Sequence, residues 1–232
     1  MEQIAALDRF LARSRALAHG CLTILMVIAF PVVGAEPKSN GPTVMVFGDS
    51  LSAAYGLRPE QGWVALMAVR LAARGVTIVN ASVSGETSSG GLRRIKADLE
   101  RHEPTVVVLA LGANDGLRGL PVAETRQNLA RTLDQIRQRG ADAVLVGIQI
   151  PPNYGIQYTN DFKNLYAQLA AERKLLLVPF LLEGIAENLD NFQADRLHPI
   201  ASTQPRVLQN VLPVVERALA RPSRRPIAPP SP

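Results

Sequence analysis

Five apolar runs rich in β-branched residues, at 43–47, 76–80, 105–111, 143–150 and 175–179, constrain the fold more than any other feature of the chain. None alternates cleanly between apolar and polar residues. A strand with one wet face shows a two-residue period, so these runs read as strands covered on both faces. The segments between them have helical periodicity. Trp63, Leu66, Met67 and Leu71 share one face, and Val122, Leu129, Leu133 and Ile136 share another. Phe162, Leu165, Tyr166, Leu169 and Ala170 follow i, i+3, i+4, i+7, i+8 spacing. A last helix is expected over 203–219. Strands alternating with helices build an α/β domain around a mainly parallel sheet, with these stripes as its core.

Composition narrows the chemistry. With 232 residues, 47% hydrophobic and 19% charged, the chain is too apolar to be disordered and suits one domain. It has one cysteine, Cys21, and three histidines, His19, His102 and His198. Arg13 and Arg15 precede an uncharged run at 21–33, and Val33-Gly34-Ala35 fits a signal-peptidase site. Residues 1–35 therefore read as an export signal, with a periplasmic or secreted location. An uncleaved anchor and a misplaced start are the other readings. The run is shorter than the roughly 20 residues a membrane span takes. Without it the chain has no cysteine and two histidines, which excludes disulfides, iron–sulfur clusters, thiol catalysis and Cys/His zinc sites. An oxygen-ligated metal stays open.

Residues 36–42 read as a linker, and 43–220 as the domain. Residues 221–232, with five prolines, read as a disordered tail. The net charge of +5 divides into +1 for residues 1–35, +3 for 221–232 and +1 for the body. Such a body is not built to hold a polyanion, which argues against a nucleic-acid partner.

In this class of fold, ligands sit at the carboxyl ends of the strands. Small and polar residues gather there: Gly48-Asp49-Ser50-Leu51-Ser52, Ala81-Ser82-Val83-Ser84-Gly85-Glu86-Thr87, Gly112-Ala113-Asn114-Asp115-Gly116 and Pro151-Pro152-Asn153-Tyr154-Gly155. Ser50 is placed where a strand turns into a helix, which exposes a hydroxyl near helix amides. A serine needs a base to become a nucleophile. His102 ends a charged helix at the amino end of the third strand, the wrong edge, and reads as a solvated residue. His198 is left, with Asp195 three residues before it, close enough to fix its tautomer. Gly85 and Asn114 can supply oxyanion donors. Taken singly, Asp-x-x-His is a turn pair, Gly85 a loop glycine and Asn114 a cap residue. Gly-x-Ser-x-Gly, a phosphate-binding loop and Gly-x-Gly-x-x-Gly are absent.

Taken together, these residues resemble the SGNH (GDSL) hydrolase family, whose four blocks supply a serine, glycine, asparagine and histidine. The blocks here are Gly48-Asp49-Ser50-Leu51, Gly85 within its loop, Gly112-Ala113-Asn114-Asp115 and Asp195-x-x-His198-Pro199. The chain is similar, over residues 43–215, to the bacterial thioesterase I, protease I and lysophospholipase L1 subgroup, which includes arylesterases. Pro152-Asn153-Tyr154-Gly155, Pro179-Phe180 and Gln204-Pro205 add to that likeness.

The resemblance implies a flavodoxin-like three-layer α/β/α sandwich with a five-stranded parallel sheet in the order 2-1-3-4-5. It implies a catalytic set of Ser50, Asp195 and His198, and an oxyanion hole from the N–H groups of Ser50 and Gly85 and the Asn114 side chain. It implies an acyl groove shaped by Leu117, Arg118 and Leu120 after the asparagine block, with Tyr154 from the fourth loop. The substrates implied are acyl esters and thioesters, with no cofactor and no metal, and transient contact with membrane lipids as a further option. A monomer is favoured. Arg196 departs from the glycine common between Asp195 and His198, and Thr203 from an alanine, which bears on specificity. A carbohydrate or cell-wall O-acetyl esterase and a non-catalytic flavodoxin-like binding module are the alternatives.

Overall fold

The computed structural model describes residues 41–222. The expected export signal, most of the linker and most of the proline-rich tail lie outside the described residues. Five parallel strands form one sheet: β1 (Thr43–Gly48), β2 (Thr77–Asn80), β3 (Val106–Ala110), β4 (Asp142–Val146) and β5 (Leu176–Val178), in the order β2-β1-β3-β4-β5. The helices are α1 (Trp63–Ala72), α2 (Ser88–His102), α3 (Ala113–Leu117), α4 (Val122–Gln138), α5 (Ile156–Arg173) and α6 (Gln204–Leu219).

Chain direction decides the layers. The step from β1 to β2 runs one way across the sheet, and every later step runs the other way. Right-handed crossovers then put α1 on one face and α2, α4 and α5 on the opposite face. The contacts agree: α2 packs on α4 and α4 on α5, while α1 packs on the last helix, α6. The sequence order 2-1-3-4-5 and the three layers are therefore the observed architecture.

The three central strands are buried throughout β3 and β4 and from Val44 onward in β1. This is why they lack alternation. The stripes on α4 and α5 face the sheet: Leu129, Leu133 and Ile136, then Phe162, Leu165, Tyr166 and Leu169, are at most 3% exposed. On α1, Val64 is buried beside Trp63, Met67 and Leu71, while Leu66 is only partly covered. Gln204 caps this helix from far along the chain, its Oε1 accepting the Trp63 N–H at 3.0 Å. The paired glycines of α2 have a packing role: a Cβ on Gly91 would lie 2.4 Å from Leu111 Cδ1.

Every run shifts by one residue at one end or both, and the fourth shifts further. The fourth run ends as a strand at Val146, not at residue 150. Gly147 still donates to Val178 O at 2.8 Å and accepts from Leu181 N at 3.0 Å, after which the backbone leaves the sheet. Ile148 and Ile150 stay 4% and 6% exposed because they form a wall beyond the sheet edge. Local sequence does not separate such a wall from a buried strand. The fifth run contracts to Leu176–Val178, an edge strand.

Candidate active site

β1 and β3 end level with each other, Gly48 pairing with Ala110, so the two exit loops emerge side by side. The expectation that Ser50 opens a helix is corrected. Residues 50–56 form successive turns, and α1 starts only at Trp63. Asp49 O accepts from Ser52 N at 3.1 Å and from Ala53 N at 2.9 Å. The turn is pinned from outside by Trp63 Nε1–H to Leu51 O at 3.1 Å and by Asn80 Nδ2–H to Ser52 O at 2.8 Å. Ser50 is thereby held at the carboxyl edge of β1.

His198 reaches this serine across 148 positions, its Nε2 lying 2.8 Å from Ser50 Oγ. Its Nδ1 is 2.7 Å from Asp195 Oδ2. An ionised carboxylate only accepts, so Nδ1 carries the proton and Nε2 is free to accept from the Ser50 hydroxyl. Burial opposes the charged form of Asp195. The N–H groups of Leu197 and His198 and the imidazole outweigh it and hold the carboxyl down at about 2. Asp195 thus remains an acceptor across the pH range in which proteins function.

The histidine turn is tied to the serine side. Gln193 Nε2–H donates to Tyr55 O at 2.8 Å, and the Tyr55 ring lies 4.4 Å from the His198 ring, tilted by 37°. Sequence reading passed over Tyr55, since nothing local marks an exposed tyrosine as a partner of a residue so distant. His102 ends α2, before β3, at the opposite edge of the sheet.

Asn114 is the second residue of the short α3 and is partly exposed. One Nδ2 hydrogen goes to Glu86 O at 2.9 Å. An amide has two such hydrogens, so one stays available for the cleft. Gly85 sits in the loop after β2 with φ +79°. A Cβ there would meet nothing within 4 Å, so in the free chain the residue answers to backbone conformation rather than crowding. Its carbonyl accepts from Arg118 Nη2 at 3.2 Å.

Ser50, Asn114 and His198 open into a cleft of about 470 Å³. That size falls within the range of small-molecule sites. Of the four residues expected to shape it, Leu117 lines it, and Arg118, Leu120 and Tyr154 stand outside that lining. They brace the loop instead: Tyr154 Oη–H donates to Leu117 O, and Tyr158 Oη–H donates to Leu120 O, each at 2.8 Å. The apolar wall comes from residues sequence reading did not assign to the site, including Ile148, Ile150, Leu182, Leu189 and Phe192, together with Phe180. The β4 and β5 exits supply them, and only the sheet order brings those exits beside Ser50. Arg196 and Glu187 are the charged residues of the lining.

The arrangement is a hydroxyl, an imidazole and a carboxylate in series, facing an apolar cleft with an amide at its edge. It can activate a serine for attack on a carbonyl. Comparison with known proteins agrees. The sequence pattern of the GDSL-like Lipase/Acylhydrolase family matches residues 46–204. Esterase TesA of Pseudomonas aeruginosa is 45% identical over 205 residues, covering 88% of this chain and 98% of that protein. Thioesterase 1/protease 1/lysophospholipase L1 of Escherichia coli is 36% identical over 187 residues, covering 81% and 86%. The crystal structure of the psychrotrophic esterase EstA from Pseudoalteromonas sp., inhibited by monoethylphosphonate, superposes with a TM-score of 0.74 at 40% identity, covering 78% of this chain and all of that one. The chain belongs to the GDSL-like lipase/acylhydrolase family and is an ester-cleaving enzyme.

Proposed function

We propose that the enzyme hydrolyses carboxylic esters and thioesters of acyl chains through an acyl-enzyme on Ser50. The observation that carries this is the series Ser50–His198–Asp195, at 2.8 and 2.7 Å, opening on an apolar cleft. Ser50 Oγ attacks the acyl carbonyl while His198 Nε2 takes its proton. The charge on the carbonyl oxygen is met by the N–H groups of Ser50 and Gly85 and by Asn114 Nδ2. Asp195 stabilises the imidazolium. His198 then protonates the departing alcohol or thiol, and water releases the acid by the same steps.

The apolar wall supports acyl chains over acetylated sugars. Relatives named as arylesterase and as thioesterase and lysophospholipase support a range from aryl esters to thioesters and lysophospholipids. The apolar run at 21–33 supports export, which N-terminal sequencing of the processed protein tests.

The deciding experiment measures p-nitrophenyl acetate, butyrate and octanoate hydrolysis by the protein and by Ser50→Ala. Turnover that rises with chain length and vanishes in the variant supports the reading. Undiminished turnover in Ser50→Ala overturns it. A strong preference for acetyl-xylan over octanoyl esters overturns the choice of substrate.

A further inference from the structure

Arg196 stands at the tip of the turn that carries His198, with its backbone in the left-handed region at φ +57°. Of the other non-glycine residues in that conformation, Glu103 and Lys174 close helices α2 and α5, and Ala54 lies in the turns after Ser50. Arg196 closes no helix. The neck of its loop is fastened by Gln193 N–H to His198 O at 2.8 Å and by Ile200 N–H to Asn191 O at 2.9 Å. Asp195 Oδ1 accepts the N–H groups of Leu197 and His198, at 2.9 and 3.0 Å, so the chain doubles back at residue 196. Glycine adopts this conformation freely, and an arginine is strained there.

The strained residue lines the cleft together with Ser50 and His198. Among the described residues its guanidinium has no hydrogen bond and no ion pair. Glu187 lines the same cleft but makes no ion pair with it. His198 must protonate the leaving group, which therefore departs along the side of the cleft where this turn lies. A guanidinium presents parallel N–H donors that match the oxygens of a carboxylate or phosphate.

We propose that Arg196 is a specificity residue that selects acyl esters whose leaving group bears an anionic oxygen group, a carboxylate or a phosphate. This inference rests on the acyl-ester reading above. It assigns the apolar wall to the acyl chain and the charged turn to the other half of the substrate.

The test uses butyrate esters of three phenols: methyl para-hydroxybenzoate (neutral), para-hydroxybenzoate (carboxylate) and para-hydroxyphenyl phosphate. kcat/KM is measured for the wild type, Arg196→Gln and Arg196→Lys. The anionic-to-neutral ratio is read within each protein, so a loss common to all esters cancels. The ratio is expected to fall about 3- to 10-fold in Arg196→Gln, through KM, and to hold better in Arg196→Lys. At about 0.5 M NaCl it should fall in the wild type and stay level in Arg196→Gln. The anionic ester that loses more identifies carboxylate or phosphate as the group selected. Equal ratios in the wild type and Arg196→Gln, with the neutral ester still cleaved, overturn the proposal. Wild-type protein that cleaves none of the three overturns the acyl-ester reading, and this inference with it.

Discussion

Asp115 and Ser88 are joined by two buried hydrogen bonds, Ser88 N–H to Oδ2 at 2.8 Å and Ser88 Oγ–H to Oδ1 at 2.5 Å. Each residue is 1% exposed. Ser88 starts α2 three residues after Gly85, and Asp115 directly follows Asn114. The pair therefore fastens the β2 exit loop to the β3 exit turn, and so sets the spacing between Gly85 and Asn114, two of the three donors proposed for the oxyanion hole. Asn128 Nδ2–H extends the network to α4 by donating to Ser88 Oγ at 3.1 Å.

Asp115→Ala leaves two donors buried without an acceptor. The expected cost is about 3 kcal/mol, which for a domain of this size lowers Tm by about 6–12 °C. Calorimetry of the two proteins checks it. An unchanged Tm would mean that the two loops are held together by something else.

Asn114→Ala removes the side-chain donor from the cleft while leaving the sheet untouched. kcat should fall about 10²–10³-fold. The lost bond to Glu86 O costs on the order of 1 kcal/mol, so the variant stays folded. Burst-phase and steady-state kinetics on a p-nitrophenyl ester measure the loss. Wild-type kcat would remove Asn114 from the oxyanion hole.

Tyr55 makes its contact with His198 through the ring, and its hydroxyl has no bond among the described residues. Tyr55→Phe should keep near-wild-type kcat/KM. Tyr55→Ala should lose up to about tenfold, the worth of one aromatic contact. Equal losses in both variants would shift the role from the ring to the hydroxyl.

Asp49, next to Ser50, is buried at 1% exposure. Its Oδ1 accepts from Leu51 N–H at 3.0 Å, and its Oδ2 has no partner. Burial, opposed by the Leu51 bond and aided by repulsion from Asp115, raises the carboxyl from 3.8 to about 7. The folded chain thus holds a proton that the unfolded chain releases near pH 4. Stability conferred by that proton is complete below pH 4 and is lost as pH rises through about 7, by on the order of 4 kcal/mol. Asp49→Asn should abolish this slope. Urea unfolding of both proteins at pH 5 and pH 8 checks it, and parallel pH profiles would contradict it.

The sequence by itself determined the alternation of strands and helices, because burial on both faces and the helical period are local signals. It also determined the Asp195–His198 spacing and the polar residues after each strand, which a short turn carries without help from the rest of the fold. Only the tertiary structure decided that His198 meets Ser50 at hydrogen-bond distance, since 148 positions separate them. It also decided where the fourth strand stops, because Ile148 and Ile150 are as apolar as strand residues and differ only in what they face. The cleft wall from the β4 and β5 exits, the brace formed by Tyr154 and Tyr158, and the Tyr55 contact likewise depend on which loops the sheet order makes neighbours. Non-local adjacency leaves no period in a sequence, so these features appear only once the chain is folded.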